Sequence, residues 1–177
     1  MLIFGVVATK GGVGKTTIAA NLGGLLADIG YRVLLIDADV QPSLSRYFAL
    51  SHQAEHGLTR MVISGALTPD CISHVELPPK SFPGNHACLN VQGGFLHIVT
   101  SDTRDGKLQD WLSDRLDRLI RIRMAIRNAA MSEQYDVAII DTQGAVGYLQ
   151  DAAVNASDLI ISPASPDIVS AHEFVDG

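Results

Sequence analysis

The chain has 177 residues, of which 47% are hydrophobic and 18% charged, a composition typical of a globular domain with a sizeable core. Its net charge is −6, whereas a protein surface that contacts DNA phosphates extensively is normally basic. DNA binding would therefore need a local basic patch, dimerisation or residues beyond this chain. No apolar run approaches the ~20 residues of a membrane span, and two cysteines without a CxxC spacing fit a reducing compartment.

Short apolar runs alternate with helical patterns along the chain. The first strand is predicted at 2–8, the first helix at 16–29 with a stop at Gly30, and the second strand at 32–37. The apolar residues of this helix recur at helical spacing: Ile18, Leu22, Leu25, Leu26 and Ile29.

The second half continues the alternation. A long helix is predicted at 107–131, and residues 77–94, rich in proline and glycine, are predicted to leave the sheet. Further strands are predicted at 96–101, 136–141 and 159–162. The predicted core stripe of the long helix is Leu108, Leu112, Leu116, Leu119, Ile120 and Met124. Near-continuous apolar strands separated by helices predict an α/β fold with a mostly parallel, twisted sheet covered by helices on both faces.

A glycine-rich stretch, ATKGGVGKTTIAANL at 8–22, follows the first strand. Its Gly14-Lys15-Thr16 fits the end of the phosphate-loop pattern GxxxxGK[ST], although Thr9 stands where the first glycine belongs. The loop glycines let backbone N–H groups point at phosphate oxygens, at the positive end of the following helix. We expect Lys15 to reach the β- and γ-phosphates and the Thr16 hydroxyl to bind Mg²⁺.

Carboxylates follow two of the predicted strands. Asp37 and Asp39 end LLIDAD, and Asp141 ends VAIID, each after four or five apolar residues. Because the carboxyl ends of parallel strands meet at one edge of a sheet, we expect these aspartates beside the phosphate loop. That position suits them to manage a metal ion and a water molecule.

Three segments in order resemble the ParA/MinD class of P-loop ATPases. KGGVGKTT at 10–17 resembles their deviant Walker A motif, DADVQPSLSRYF at 37–48 the segment usually written DxDPQ, and IIDTQG at 139–144 their Walker B strand. The resemblance runs from Met1 to about residue 175 and is strongest to the ParA branch, which partitions plasmids and other mobile DNA elements.

The chain departs from that family at two places. Val40 replaces the usual proline, and Gln143-Gly144 stand where many ParA proteins have two prolines. The chain also ends where family members continue, so we expect one P-loop ATPase domain over 1–177 that lacks the family's C-terminal part.

The resemblance implies a P-loop NTPase fold, ATP or ADP as cofactor with Mg²⁺, and roles for particular residues. The nucleotide-binding residues are Lys10, Gly11, Gly12, Val13, Gly14, Lys15, Thr16 and Thr17. The catalytic residues are Lys10, Lys15 and Asp39, and the metal is held by Thr16, Asp37 and Asp141, the aspartates acting through water. Lys10 is expected to reach the nucleotide of a second subunit, and Asp39 to orient or activate the attacking water.

The implied function is a Mg–ATP-dependent DNA partition ATPase. An ATP sandwich homodimer would bind non-specific DNA, a ParB-like centromere-binding partner would stimulate hydrolysis, and the protein would be cytoplasmic and nucleoid-associated, without a membrane partner. Three alternatives stay open: a MinD-like membrane switch, which needs a C-terminal amphipathic helix; a small-molecule ligase or kinase sharing the deviant loop; and a non-hydrolysing scaffold.

Three other features favour structural roles. The arginines on the predicted long helix (115, 118, 121, 123 and 127) alternate with aspartates, which favours a solvated, salt-bridged helix over a DNA contact. His52 and His56 lack an evident third metal ligand. Cys71 and Cys88 are interpreted as ordinary thiols.

Overall fold

The computed structural model describes residues 1–77, 94–103 and 106–164, and within them seven strands form one sheet. The strands are β1 (Leu2–Val6), β2 (Arg32–Ala38), β3 (Leu50–His52), β4 (Ser73–Val75), β5 (Phe95–Val99), β6 (Val137–Thr142) and β7 (Leu159–Ile161). Their order across the sheet is β3-β4-β5-β2-β6-β1-β7. Five neighbouring strands run parallel, in the order β5, β2, β6, β1 and β7, whereas β4 runs antiparallel to both β3 and β5.

Helices cover both faces of this sheet. They are α1 (Lys15–Asp28), α2 (Leu58–Ser64), α3 (Lys107–Ser113), α4 (Arg121–Ile126), α5 (Ala129–Gln134) and α6 (Tyr148–Ala156). Alternate residues of β2 enter two separate cores: Val33 and Leu35 pack on the α1 side, and Leu34 and Ile36 pack on the side of α2, α4 and α6. The predicted α/β architecture, with a mostly parallel sheet between two helical layers, is confirmed.

Helix α1 is confirmed, and Ile18, Leu22 and Leu26 of the predicted stripe pack partly buried against the core, but the fully buried face differs from that stripe. The buried side is made of small residues, among them Ala19, Gly23 and Ala27, while Leu25 is 60% exposed. A Cβ on Gly23 would lie 2.7 Å from Leu35 Cδ2, so the helix backbone approaches β2 too closely for large side chains. Gly30, with φ 101°, ends the helix as predicted.

The predicted long helix at 107–131 is wrong, because that segment forms α3, α4 and α5, with a 3₁₀ turn at Arg118–Ile120. The Asn128 side chain caps α5 by accepting a hydrogen bond from Met131 N at 3.0 Å. Of the predicted core stripe, Leu108 and Leu112 are buried, but the other four residues (Leu116, Leu119, Ile120 and Met124) are exposed.

The predicted strands are found at their expected places, but residues 50–75 held elements that the sequence patterns did not predict. Strands β3 and β4 are three residues each, too short for a visible alternation, and α2 spans only two turns. The predicted excursion at 77–94 lies outside the described residues except at its two ends.

Candidate functional site

The phosphate loop connects β1 to α1. Gly12 and Gly14 have φ values of 76° and 93°, a left-handed conformation that costs side-chain-bearing residues energy. A Cβ built on Gly11, Gly12 or Gly14 would meet no atom of the described chain within 4 Å, so these glycines border open space. The first turn of α1 holds no acidic residue, and its N–H groups can therefore bind an anion at this end.

Lys15 and Thr142 fix the two ends of the loop. The Lys15 side chain is 6% exposed, and its Nζ donates a hydrogen bond to the Lys10 carbonyl at 3.0 Å. The buried Thr142 hydroxyl donates to the Val6 carbonyl at 2.9 Å, which anchors the last residue of β1. An ammonium group at the base of an open glycine loop is suited to bind phosphate oxygens. Lys10 itself is exposed.

Asp37 and Asp141 are register partners on the adjacent parallel strands β2 and β6. Their side chains therefore lie on the same face, about one strand spacing (~4.8 Å) apart at the backbone. Both residues are fully buried. Ser45 donates to Asp37 Oδ2 through its N–H at 3.0 Å and its hydroxyl at 2.7 Å, whereas Asp37 Oδ1 and both oxygens of Asp141 accept no hydrogen bond of normal geometry.

Burial raises the pKa of both carboxyl groups. The pKa of Asp141 rises to about 7, mainly through burial and also through the charges of Asp37 and Asp39, although Thr16 and Lys15 oppose the change. The pKa of Asp37 is raised for the same main reason. Two adjacent buried carboxylates with three unused oxygens are suited to a divalent cation, because hard cations such as Mg²⁺ bind carboxylate and hydroxyl oxygens. The predicted set Thr16, Asp37 and Asp141 thus fits a magnesium ion.

Asp39 lies beyond the end of β2 and faces the same pocket as the loop. Its Oδ1 accepts a hydrogen bond from Gln41 N at 2.9 Å, and its carbonyl accepts one from the Ser101 hydroxyl. The pocket has a volume of about 340 Å³. Its lining includes Asp39 and six residues predicted to bind nucleotide or metal: Gly11, Gly12, Gly14, Lys15, Thr16 and Thr17. Lys10 and Val13 do not line it.

Several residues of the site were missed by sequence reasoning. Tyr47 lines the pocket and its hydroxyl lies 3.1 Å from Thr17 Oγ1. Ser45 holds Asp37 although it lies eight residues later, because the 3₁₀ turn at Leu44–Tyr47 folds back over the strand end. Gly144 also lines the pocket. The departure at Gln143-Gly144 from the family pattern was the one available signal for that residue.

The other features singled out in the sequence lie outside the site. The predicted salt bridges are found, since Arg115 and Arg121 bond Asp117 and Arg127 bonds Asp158. Arg121 is buried rather than solvated, however, and also donates to the carbonyls of Val62 and Ile63. The part of the chain that is described contains no group of three or more His, Cys, Asp or Glu residues that could hold a metal ion. Cys71 is a buried free thiol, and Cys88 lies outside the described residues.

Comparison with known proteins gives the same assignment. The family model described as an AAA domain matches residues 1–174. The chain is 29% identical over 162 residues to the chromosome partitioning protein ParA of Caulobacter vibrioides, covering 91% of this chain and 55% of that protein. It is 28% identical over 162 residues to the sporulation initiation inhibitor protein Soj of Bacillus subtilis, covering 91% of this chain and 57% of Soj.

Among solved structures, apo McdA of Cyanothece superposes with a TM-score of 0.79 at 22% identity, covering 99% of this chain and 63% of McdA. This likeness concerns the fold alone. The chain spans little more than half the length of the two curated relatives. No helix among the described residues is long and apolar enough to cross a membrane. The match over nearly the whole chain, together with the phosphate loop and the paired strand-end aspartates, shows that the chain belongs to this AAA-domain family, as a P-loop protein of the ParA/MinD type.

Proposed function

We propose that the chain is a Mg²⁺-dependent ATPase that partitions plasmid or other mobile DNA. The observation that carries this proposal is an open glycine loop beside the register pair Asp37 and Asp141, whose three unpaired buried oxygens suit a cation. The similarity to the chromosome partitioning protein ParA of Caulobacter vibrioides supports the proposed role in DNA partition. Because all described strands share one sheet, we propose a single ATPase domain over 1–177.

The site residues divide the work between binding and hydrolysis. Backbone N–H groups of the loop over residues 10–17, with the Lys15 ammonium, bind the phosphates of ATP or ADP. Thr16, Asp37 and Asp141 would hold Mg²⁺, and the bound ion would offset negative charge on the phosphate oxygens. Asp39, on the pocket wall, orients the attacking water.

Asp39→Ala is expected to leave an ATP-bound dimer that hydrolyses ATP slowly. Wild-type turnover in that variant would show that another residue orients the attacking water.

Lys10 is proposed to act in trans, on the nucleotide of a second subunit in an ATP sandwich dimer. It is exposed, and its carbonyl is held by the catalytic Lys15. A cation supplied across an interface stabilises the charge that develops on the phosphoryl group, an effect of roughly 10³–10⁵ in rate for arginine fingers. The same contact would make dimerisation depend on the γ-phosphate.

This role predicts that Lys10→Ala abolishes ATP-dependent dimerisation while retaining nucleotide binding. Sedimentation velocity with ATP and with ADP measures the first, and fluorescent-nucleotide titration the second. Lys107→Ala, which removes an exposed lysine on α3, is the matched control. A Lys10→Ala variant that dimerises with ATP as the wild type does would overturn the proposed role.

The ATP-bound dimer is proposed to bind non-specific DNA and to release it when a ParB-like centromere-binding partner stimulates hydrolysis. The protein would then be cytoplasmic and nucleoid-associated. Retention on DNA in ATP, compared with ADP, tests this, with anionic liposomes as the control surface. Salt-sensitive, ATP-specific retention on DNA is the expected result. Binding to liposomes alone would refute it in favour of a MinD-like membrane switch.

A further inference from the structure

Gly144, in the loop between β6 and α6, touches the backbone of the phosphate loop. A Cβ at position 144 would lie 2.7 Å from Gly11 Cα, 2.9 Å from Gly11 N and 3.2 Å from Lys10 C. All three neighbours are backbone atoms, so no flexible side chain could move aside. The Lys10–Gly11 peptide therefore rests directly on residue 144, at the carbonyl to which Lys15 Nζ is bonded.

Gln150, on the first turn of α6, holds the backbone on either side of Gly144. Its side chain is 6% exposed. In the amide orientation that satisfies its neighbours, Gln150 Nε2 donates to the carbonyls of Gln143 at 3.3 Å and Ala145 at 2.7 Å. These two carbonyls flank Gly144 in the chain, so one side chain fixes the backbone on both sides of the contact.

A second glutamine fixes the helix that carries Gln150. Gln109 Oε1, on α3, accepts a hydrogen bond from Leu149 N at 3.2 Å. Gly147 leaves room for two amide side chains, because a Cβ there would lie 2.8 Å from Gln143 Nε2 and 3.0 Å from Gln109 Nε2. The loop from Gln143 to Gly147 is thus held by neutral amide groups rather than by ion pairs.

We propose that Gln150 and Gly144 are positioning residues that set the place of the Lys10–Gly11 peptide, and through it the Lys10 side chain. This inference rests on the proposed role of Lys10. In a chain with the double proline common in ParA proteins, residue 144 would carry ring atoms where only backbone fits here. The Gln143-Gly144 sequence is then a feature that allows the two loops to touch and the Gln150 clamp to form.

Two variants reach the same peptide from opposite sides. Gly144→Ala brings a methyl group against Gly11 directly, and Gln150→Leu removes the two hydrogen bonds by replacing the amide with an apolar side chain of similar size. Both should shift the amide resonances of Lys10 and Gly11 in ¹H–¹⁵N spectra of the nucleotide-free protein. Gly24→Ala on α1 is the matched control, because a Cβ there meets no atom within 4 Å.

In steady-state assays we expect both variants to lower kcat for ATP by about tenfold or more, since small misplacements of catalytic groups cost up to ~10²-fold. KM and ADP affinity should stay within about threefold, because Gly12, Gly14 and Lys15 still form the cradle. A merely structural loop would lower thermal stability without this split between kcat and KM.

The outcomes separate the two proposals. Unshifted Lys10 and Gly11 resonances in both variants, or shifted resonances with wild-type kcat, would overturn the positioning role. If instead Lys10→Ala retains full ATP-dependent dimerisation and turnover, the proposed role of Lys10 fails, while the spectra still decide whether residue 144 sets the peptide.

Discussion

The two buried aspartates make a prediction about the protein without nucleotide. Asp141 has a pKa of about 7 in the folded chain, against 3.8 for an unperturbed aspartate, because burial disfavours its charged form. A carboxyl group whose pKa is higher in the folded than in the unfolded chain favours folding at pH values below its unfolded-state pKa, where it is neutral in both states. This contribution is lost as pH rises through the pKa of the folded state, because the folded chain must then bury a charge. The difference between 3.8 and about 7 corresponds to a penalty of roughly 4 kcal/mol on the free energy of folding, and this penalty is complete only above pH 8.

Asp141→Asn keeps the shape of the side chain and removes its titration. By linkage about 1.5–2 kcal/mol of the penalty is already present at pH 5, so the stability advantage of the Asn variant should grow by roughly 2–3 kcal/mol between pH 5 and pH 8. Urea unfolding at both pH values, in EDTA and without nucleotide, measures this difference. Asp114→Asn, an exposed change on the surface, should alter stability by less than ~0.5 kcal/mol at either pH.

An advantage that is the same at both pH values, or an Asn variant that is less stable at pH 8, would refute the reasoning. The carboxylate would then be solvated or paired in the nucleotide-free protein. The case for a cation between β2 and β6 would lose its physical basis.

Three further changes test other parts of the molecule. Burial lowers the pKa of His97 to about 4, so wild-type stability should fall as pH drops from 6.5 towards 4. Linkage gives a loss of about 2 kcal/mol between pH 7.5 and 5, which we halve to about 1 kcal/mol because the ring is only half-buried and solvent screens its charge. His97→Gln should remove this loss, and a pH dependence of urea unfolding equal to that of the wild type would contradict it. Ser45→Ala removes the hydroxyl hydrogen bond to Asp37 and keeps the one from the backbone N–H, so it should cost about 1–2 kcal/mol in thermal unfolding; an unchanged midpoint would show that the hydroxyl bond adds nothing. Gly24→Ala should raise the free energy of unfolding by up to ~1 kcal/mol, because a Cβ there meets no atom within 4 Å. Gly23→Leu should lower it by about 1–3 kcal/mol, because Leu35 of β2 already fills that space, and equal effects of the two variants would refute the packing of α1.

The first strand, the phosphate loop and α1 could be predicted because their signals are local. Gly14-Lys15-Thr16 and the flanking apolar runs occupy one continuous stretch, and the structure keeps them in that order. The strand-end position of Asp37 and Asp141 was also predictable from the apolar residues before each. Their direct register pairing was not, because it depends on β6 lying beside β2, which no local pattern encodes.

The failures have physical causes of the same kind. A 3.6-residue periodicity over 107–131 predicted one helix, but such a periodicity does not reveal the Asn128 cap that begins α5 or the ion pairs of Asp117 with two arginines. Ser45 and Gln150 act on backbone or carboxylate groups through tertiary folding. Their roles follow only from the arrangement of the loops around the strand ends.

The most direct test of the central claim is phosphate release from ATP by the wild-type chain and by Asp39→Ala, each with Mg²⁺ and with EDTA. We expect hydrolysis by the wild type only with Mg²⁺, and release at least about tenfold slower from Asp39→Ala at similar ATP affinity. Wild-type protein that binds Mg–ATP without hydrolysing it, or an Asp39→Ala variant with unchanged turnover, would contradict the account.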